Sequence, residues 1–327
     1  MSPRSRALIG RPPARKDSSM KKIIALFSGL ILLAGFVSAS LISCSPAPTA
    51  PAAPTPTPTI NYSGLSAFAT IGSSSNFTNP AGMILSGGNI WITDQGNGTF
   101  QEWTTAGAAV TSITTFNTSD TFYAAWGVNA DPITGNIYVA DANNGRLVVF
   151  NSSGNYLTEI TAGGNDVRGI AINCAGVTAF VTDFSGGGYI YHIGGTPTVP
   201  TFTLTGHFGQ SGSGTLVNAY QCSLDAVGNV WVADYFGTKV EEYTAGGAHI
   251  KTLTSTSFSI PTDVKVLADG TILVTDEGAG KVFVFNAAGA KIGTFGAGIL
   301  SYPEDIEIAG GKYYVSDWYN SQIVVFH

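Results

Sequence analysis

One short phrase recurs six times along this chain and limits its fold more than any other feature. A turn residue, one or two variable positions and a run of alternating apolar residues lead to an aspartate. The copies are Gly88-Asn89-Ile90-Trp91-Ile92-Thr93-Asp94, Gly135-Asn136-Ile137-Tyr138-Val139-Ala140-Asp141 and Val177-Thr178-Ala179-Phe180-Val181-Thr182-Asp183, then Gly228-Asn229-Val230-Trp231-Val232-Ala233-Asp234, Gly270-Thr271-Ile272-Leu273-Val274-Thr275-Asp276 and Gly311-Lys312-Tyr313-Tyr314-Val315-Ser316-Asp317. The aspartates stand 47, 42, 51, 42 and 41 residues apart. Alternation with a period of two belongs to strands, and β-branched and aromatic residues favour them.

Each copy continues into a second strand, as in Lys281-Val282-Phe283-Val284-Phe285, and then a glycine-containing turn such as Ala287-Ala288-Gly289-Ala290. A short third strand follows, and a fourth, such as Gly169-Ile170-Ala171-Ile172, precedes the next copy. Four strands repeated at this period are the mark of a propeller blade, so an all-β, six-bladed β-propeller of four-stranded antiparallel blades is expected over residues 60–327. The 41 glycines fit many tight turns. The last copy ends at its third strand, Val324-Val325-Phe326-His327. Ser66-Ala67-Phe68-Ala69-Thr70-Ile71-Gly72 is similar to the outer-strand segment Ala290-Lys291-Ile292-Gly293-Thr294-Phe295-Gly296. The N-terminal strand of the domain should therefore complete the last blade and close the ring, leaving no open edge.

The repeats resemble the NHL family. Phe208-Gly209-Gln210-Ser211-Gly212-Ser213-Gly214 matches that repeat's glycine-rich element. Pro261-Thr262-Asp263-Val264 and Pro303-Glu304-Asp305-Ile306 match its inner-strand start, and Asp141-Ala142-Asn143-Asn144-Gly145-Arg146 matches its turn. The resemblance implies an NHL or TolB-like propeller and says little about activity.

The first 59 residues read as an address. Met20-Lys21-Lys22 precedes an apolar run reaching Ile42, the charged and hydrophobic regions of a secretory signal. The run ends in Leu41-Ile42-Ser43-Cys44, which resembles the bacterial lipobox and implies lipidation at Cys44. A signal peptide over 1–43 is expected, with translation starting at Met1 or Met20. The alternative is an uncleaved membrane span. Residues 44–59, with SPAPTAPAAPTPTPT after the cysteine, form a proline-rich spacer, extended at ~3 Å per residue. An exported lipoprotein on the periplasmic or cell-surface side follows, with acyl chains as the anchor.

Beyond Cys44 the chain has 8 basic and 20 acidic residues, a balance of 8 − 20 = −12. Such a surface repels phosphates, which speaks against nucleic acid as a partner. A monomer is expected.

The six aspartates are expected to be structural, each accepting turn N–H groups where its strand ends. Residues at the start of each inner strand crowd one mouth of the channel, and there a ligand site is expected. The blades align Gly82, Gly127, Gly169, Gln221, Asp263 and Asp305 in one ring, preceded by Ala81, Trp126, Arg168, Tyr220, Thr262 and Glu304. Trp126, Arg168, Tyr220, Gln221, Asp263, Glu304 and Asp305 are the candidate ligand-binding residues, in a concave, partly apolar setting. Solvated loop residues without a ligand are the bland alternative. Arg168 has two readings, an ion pair with Asp263, Asp305 or Glu304, or a bidentate hold on a ligand carboxylate.

Enzymes on related propellers hold a divalent metal with clustered histidines. His192, His207, His249 and His327 stand at unlike positions in their blades, the second in a loop before blade four. A shared zinc site is therefore not expected. A calcium or other divalent ion held by Asp263 and Asp305 is the remaining metal candidate, and no cofactor or catalytic residue is assigned. Cys174 and Cys222 are placed on adjacent inner strands and expected to be buried free thiols, with a disulfide as the alternative.

The function expected is therefore binding or scaffolding, with the propeller offered to a protein, peptide or glycan of the cell envelope. A metal-dependent lyase or hydrolase with its site at the mouth is the alternative. A sensor or assembly subunit of a larger envelope complex is the third reading.

Overall fold

The structure, a computed structural model, describes residues 60–327. The expected signal sequence, Cys44 and linker lie outside the described residues. Among the described residues, twenty-four strands form six four-stranded antiparallel sheets, one per blade. Blade one holds β2 (Pro80–Ser86), β3 (Asn89–Asp94), β4 (Thr99–Thr104) and β5 (Ala109–Ile113). Blade two holds β6 (Ala125–Ala130), β7 (Ile137–Asp141), β8 (Arg146–Phe150) and β9 (Tyr156–Thr161). Blade three follows with β10 (Val167–Ile172), β11 (Thr178–Asp183), β12 (Gly188–Thr196) and β13 (Val199–Phe208). In blade four are β14 (Ala219–Leu224), β15 (Val230–Asp234), β16 (Lys239–Tyr243) and β17 (His249–Thr254). Blade five has β18 (Pro261–Val266), β19 (Ile272–Asp276), β20 (Lys281–Phe285) and β21 (Lys291–Phe295). The last has β22 (Pro303–Ala309), β23 (Lys312–Asp317) and β24 (Gln322–Phe326), completed by β1 (Ala67–Ile71).

The closure is the one expected from the two similar segments. β1 pairs antiparallel with β24, with Thr70 opposite Val324 and Ile71 opposite Ile323. This removes the unpaired edge that a broken last blade would expose. The uneven spacing of the aspartates also has a structural cause. Blade three carries a long outer hairpin, β12 and β13, and a loop with a Phe116–Asp120 bridge separates β5 from β6.

The second strand of each blade is buried on both faces, as in Ile137–Asp141, which is why it reads as almost unbroken apolar sequence. Every blade interface is a separate apolar layer. Between blades six and one, Ile71, Tyr314, Ile323 and Val325 meet Met83, Ile92 and Trp103. The inner strands touch in the order β2, β6, β10, β14, β18, β22 and back to β2.

The aspartates act as clamps. Asp94 accepts from the backbone N–H groups of Thr78 and Asn79, Asp141 from Tyr123 and Ala124, and Asp234 from Val217 and Asn218. Asp276 does the same for Ser259 and Ile260, and Asp317 for Ser301 and Tyr302. These donors lie in the loop entering the inner strand of the same blade, 15–18 residues upstream. Turn N–H groups of Asn97 and Ala279 are additional partners. Asp183 departs from the pattern, taking the Ser185 N–H and the Tyr189 hydroxyl.

Two expectations need correction. Cys174 is exposed, in the turn after β10, because that strand ends at Ile172. Cys222 is buried and free, so the two are not bridged, and its thiol lies 3.8 Å from the Phe180 carbonyl oxygen. Burial pushes the Cys222 pKa up, which keeps it protonated. His207 lies within β13, since the outer hairpin of blade three runs on to Phe208.

Candidate functional site

Every inner strand starts with a bulge, where register slips between residues such as Ala125 and Val128 or Pro303 and Ile306. The bulge turns consecutive residues toward the axis, and it is here that the aligned ring positions fall. We call the channel end where chains enter the inner strands the upper mouth. Three sets of equivalent residues surround it.

The outermost set follows the aspartates directly: Gln95, Ala142, Phe184, Tyr235, Glu277 and Trp318. In all six blades this residue's N–H donates to the carbonyl just before the inner strand, for example Tyr235 to Asn218 and Trp318 to Tyr302. The backbone is thus the same six times while the side chain is free to differ. Sequence reasoning missed this set, although its position beside each aspartate marked it.

Ala81, Trp126, Arg168, Tyr220, Thr262 and Glu304 make the second set. They are packed rather than open. Trp126, Tyr220 and Glu304 are 9%, 3% and 3% exposed, which fills the mouth where a concave site was expected. The Tyr220 ring stacks on Tyr235 at 4.8 Å between centroids and meets Trp126 edge-on at 5.5 Å. The Arg168 guanidinium lies over the rings of Trp126 at 4.4 Å and Phe184 at 4.6 Å. Its ion pair is with Asp166, Nε to Oδ1 at 2.6 Å and Nη2 to Oδ2 at 3.0 Å. The expected pairing with Asp263, Asp305 or Glu304 is not made. The nearer carboxylate, two residues back, takes both N–H groups of the fork.

Glu304 carries the most unusual chemistry. Burial, reinforced by Glu277, lifts its pKa far above the ordinary carboxyl range, while the Tyr220 hydroxyl and Arg168 oppose the shift. One of its oxygens, Oε2, has no partner among the described residues. Glu277 is raised too, chiefly by burial, and accepts the Tyr235 hydroxyl at 2.5 Å. The pair holds protons more strongly than a surface carboxylate would.

The third set is Gly82, Gly127, Gly169, Gln221, Asp263 and Asp305. Asp305 Oδ2 accepts the Met83 N–H at 2.8 Å, and Asp263 Oδ2 accepts the Ile306 N–H at 3.3 Å. The two carboxyls perturb each other, and Asp305 Oδ1 is buried with no hydrogen-bond partner among the described residues. Both pKa values rise through burial, that of Asp305 to about 8. Each carboxyl thus has one oxygen committed to a backbone N–H, which leaves fewer lone pairs to offer a cation. Among the described residues no group of three or more His, Cys, Asp or Glu is placed to hold a metal ion. His192, His207 and His249 lie on the outer strands β12, β13 and β17, and His327 ends the chain.

Threonine and serine hydroxyls stitch neighbouring blades just outside this ring. The Thr275 hydroxyl accepts the Asp263 N–H and donates to the Glu304 carbonyl of the next blade. Ser316 repeats this with the Asp305 N–H and the Ala81 carbonyl, at 2.9 and 2.7 Å. Thr93 and Thr182 bond in the same way to the Trp126 and Tyr220 carbonyls.

The rim of the upper mouth is exposed and aromatic. Tyr123, Phe236 and Tyr319 are 68%, 62% and 65% exposed. Phe236 contacts Tyr235 and Phe184, and Tyr319 contacts Tyr302.

No protein-family model and no curated protein matches this sequence. Solved propellers are similar in fold. One is a streptogramin B lyase, at 12% identity and TM-score 0.57 over 79% of this chain and 82% of the other. A catalytically inactive histidine-to-alanine virginiamycin B lyase from Staphylococcus aureus, determined with quinupristin, matches at 15% and 0.57 over 76% and 80%. A Bacteroides thetaiotaomicron protein of unknown function matches at 13% and 0.61 over 80% and 75%. At these identities the likeness shows a β-propeller fold shared with these structures and nothing of activity.

Proposed function

We propose that this chain is an exported, lipid-anchored binding protein with an NHL-type propeller, and that it engages a polypeptide partner through the upper face. The observation that carries this reading is the aromatic rim. Phe236 and Tyr319 sit one residue beyond the outermost set, where other blades have Gly96, Asn143, Ser185 or Gly278. The blade folds without an aromatic there, so those rings have no structural task. Exposed Tyr and Phe around a desolvated centre supply rigid contact area at little entropic cost. The balance of −12 beyond Cys44 favours a partner with basic side chains. Signal sequence, Cys44 acylation and proline-rich spacer would set the propeller off a membrane facing the exported compartment.

The test is co-purification from solubilised envelopes of the full-length protein. A polypeptide retained by the wild type and by a Val227→Ser variant, and lost from a Phe236→Ser, Tyr319→Ser double variant, is the expected result. Equal recovery with all three sinks this use of the face. Labelling with an alkyne fatty acid checks the anchor, and Cys44→Ala should abolish the label.

A second reading, a lyase or hydrolase, draws on one observation. Glu304 is a buried carboxyl with a raised pKa and an unpartnered oxygen, as a general acid would be. Trp126 and Tyr220 pack over the mouth it serves, so the binding reading stands first.

A further inference from the structure

At the opposite end the channel is open. A cavity of about 300 Å³ lies where the inner strands finish. Its walls are mostly apolar, from Ile84, Leu224, Val266 and Ile308, each on a different blade. Polar and charged groups interrupt them, Ser223, Lys265 and Glu307 together with Asn129 and Asp225. Lys265 Nζ bonds Glu307 Oε1 at 2.8 Å. Ser223, only 7% exposed, has a hydroxyl with no partner among the described residues. A buried hydroxyl without a partner is costly, and one lining a cavity is placed to meet a ligand.

We propose that this lower mouth binds a small, uncharged molecule with an apolar body and one carbonyl or hydroxyl oxygen, held by the Ser223 hydroxyl and Lys265. Size and lining fit a compact ligand of one or two rings. Charge selects the class. Lys265 is offset by Glu307, and further carboxyls stand at Asp225 on the wall and at Asp263 and Asp305 near its ammonium. A carboxylate would meet these acidic groups, and a cation would meet Lys265. A neutral oxygen avoids both costs and still accepts a hydrogen bond. Burial opposes charge on Lys265, but Glu307, Asp263 and Asp305 hold its pKa up, so it remains a donor. The site does not depend on the partner proposed for the upper face.

Prodan, an uncharged naphthalene with one carbonyl, is a suitable probe, since its emission shifts to the blue when it is buried. The full-length protein should bind it saturably. Ala268→Trp and Ala226→Trp, at exposed rim positions, should each abolish binding while leaving the melting curve unchanged. Ser223→Ala should weaken prodan about three- to tenfold. It should not affect the analogue that lacks the propionyl group. Absence of saturable binding, or wild-type affinity in both tryptophan variants, overturns the site. Equal effects of Ser223→Ala on the two probes overturn the assigned recognition of the oxygen.

Discussion

The two halves of the axial ring solve the same packing problem by opposite means. In blades one to three the ring position is glycine, and backbone approaches backbone. A Cβ on Gly82 would run into the Trp126 carbonyl oxygen, and one on Gly127 into that of Arg168. In blades four to six the position carries Gln221, Asp263 and Asp305, whose side chains fill the axis. The halves fit each other, for Gln221 reaches across so that its Oε1 lies 2.7 Å from where a Gly127 Cβ would stand. A repeat that looks uniform in sequence thus has one half that is purely spatial and one half that holds titratable groups. Chemistry is to be sought on the second.

The largest effect should come from filling the glycine half. Gly127→Val sets a branched side chain against a carbonyl oxygen of the next blade, which cannot yield without opening the ring. Destabilisation of ~3 kcal/mol or more is expected. Thermal unfolding should show a melting temperature lower by roughly 6–12 °C, or no cooperative transition. A variant that melts like the wild type would show that the inner strands are less tightly opposed than the approach of Gly127 to the Arg168 carbonyl requires.

Next in size are the clamps, which both halves share. Asp94→Ala in blade one and Asp276→Ala in blade five each strand two loop N–H groups. Each should cost about 2–3 kcal/mol, to a similar degree. Strongly unequal losses in chemical denaturation would mean that the halves differ in their framework and not only along the axis.

Much of this was readable from the sequence, and what was not has a physical cause. Period, blade number and ring closure follow from local alternation and from the likeness of Ser66–Gly72 to Ala290–Gly296. The structural role of the aspartates was readable too, but their main partners were not, because loop N–H groups 15–18 residues away carry no residue-specific signal. Arg168 was misjudged since alignment places a Cα while a long side chain chooses its own neighbour, here Asp166. The stitching hydroxyls were visible and overlooked. The residue before the aspartate is Thr, Ala, Thr, Ala, Thr and Ser across the six blades, always small. Closure of the upper mouth by Trp126 and Tyr220 could not be read, because ring packing depends on χ angles that spacing does not encode.

The polar half should also make stability depend on pH. The Asp305 pKa is raised from the ordinary aspartate value to about 8, so the folded state holds a proton that the unfolded state has released. Its contribution is present at acidic pH and is lost as pH rises from about 4 toward 8. A single such group has a limiting slope of about 1.4 kcal/mol per pH unit. Asp305→Asn can still accept the Met83 N–H, and should flatten the decline between pH 5 and 8 by up to that slope. An unchanged pH profile in denaturant titrations would show that Asp305 does not hold this proton.

The smallest effect is expected when the polar half is made to resemble the other. Gln221→Gly removes the side chain that faces Gly127, and with it an Nε2 group that is buried and unpartnered among the described residues. Relief of that unsatisfied donor offsets the lost contacts and the backbone freedom that glycine adds to the unfolded chain, about 0.5–1 kcal/mol. The net change should stay within about 1 kcal/mol, a shift of roughly 2–4 °C in melting temperature. Glycine would then be tolerated where glutamine stands, while valine is not tolerated where glycine stands. A loss from Gln221→Gly as large as that from Gly127→Val would give Gln221 an essential place in holding the blades apart. The axis would then be a single packed column rather than a spatial half set against a chemical one.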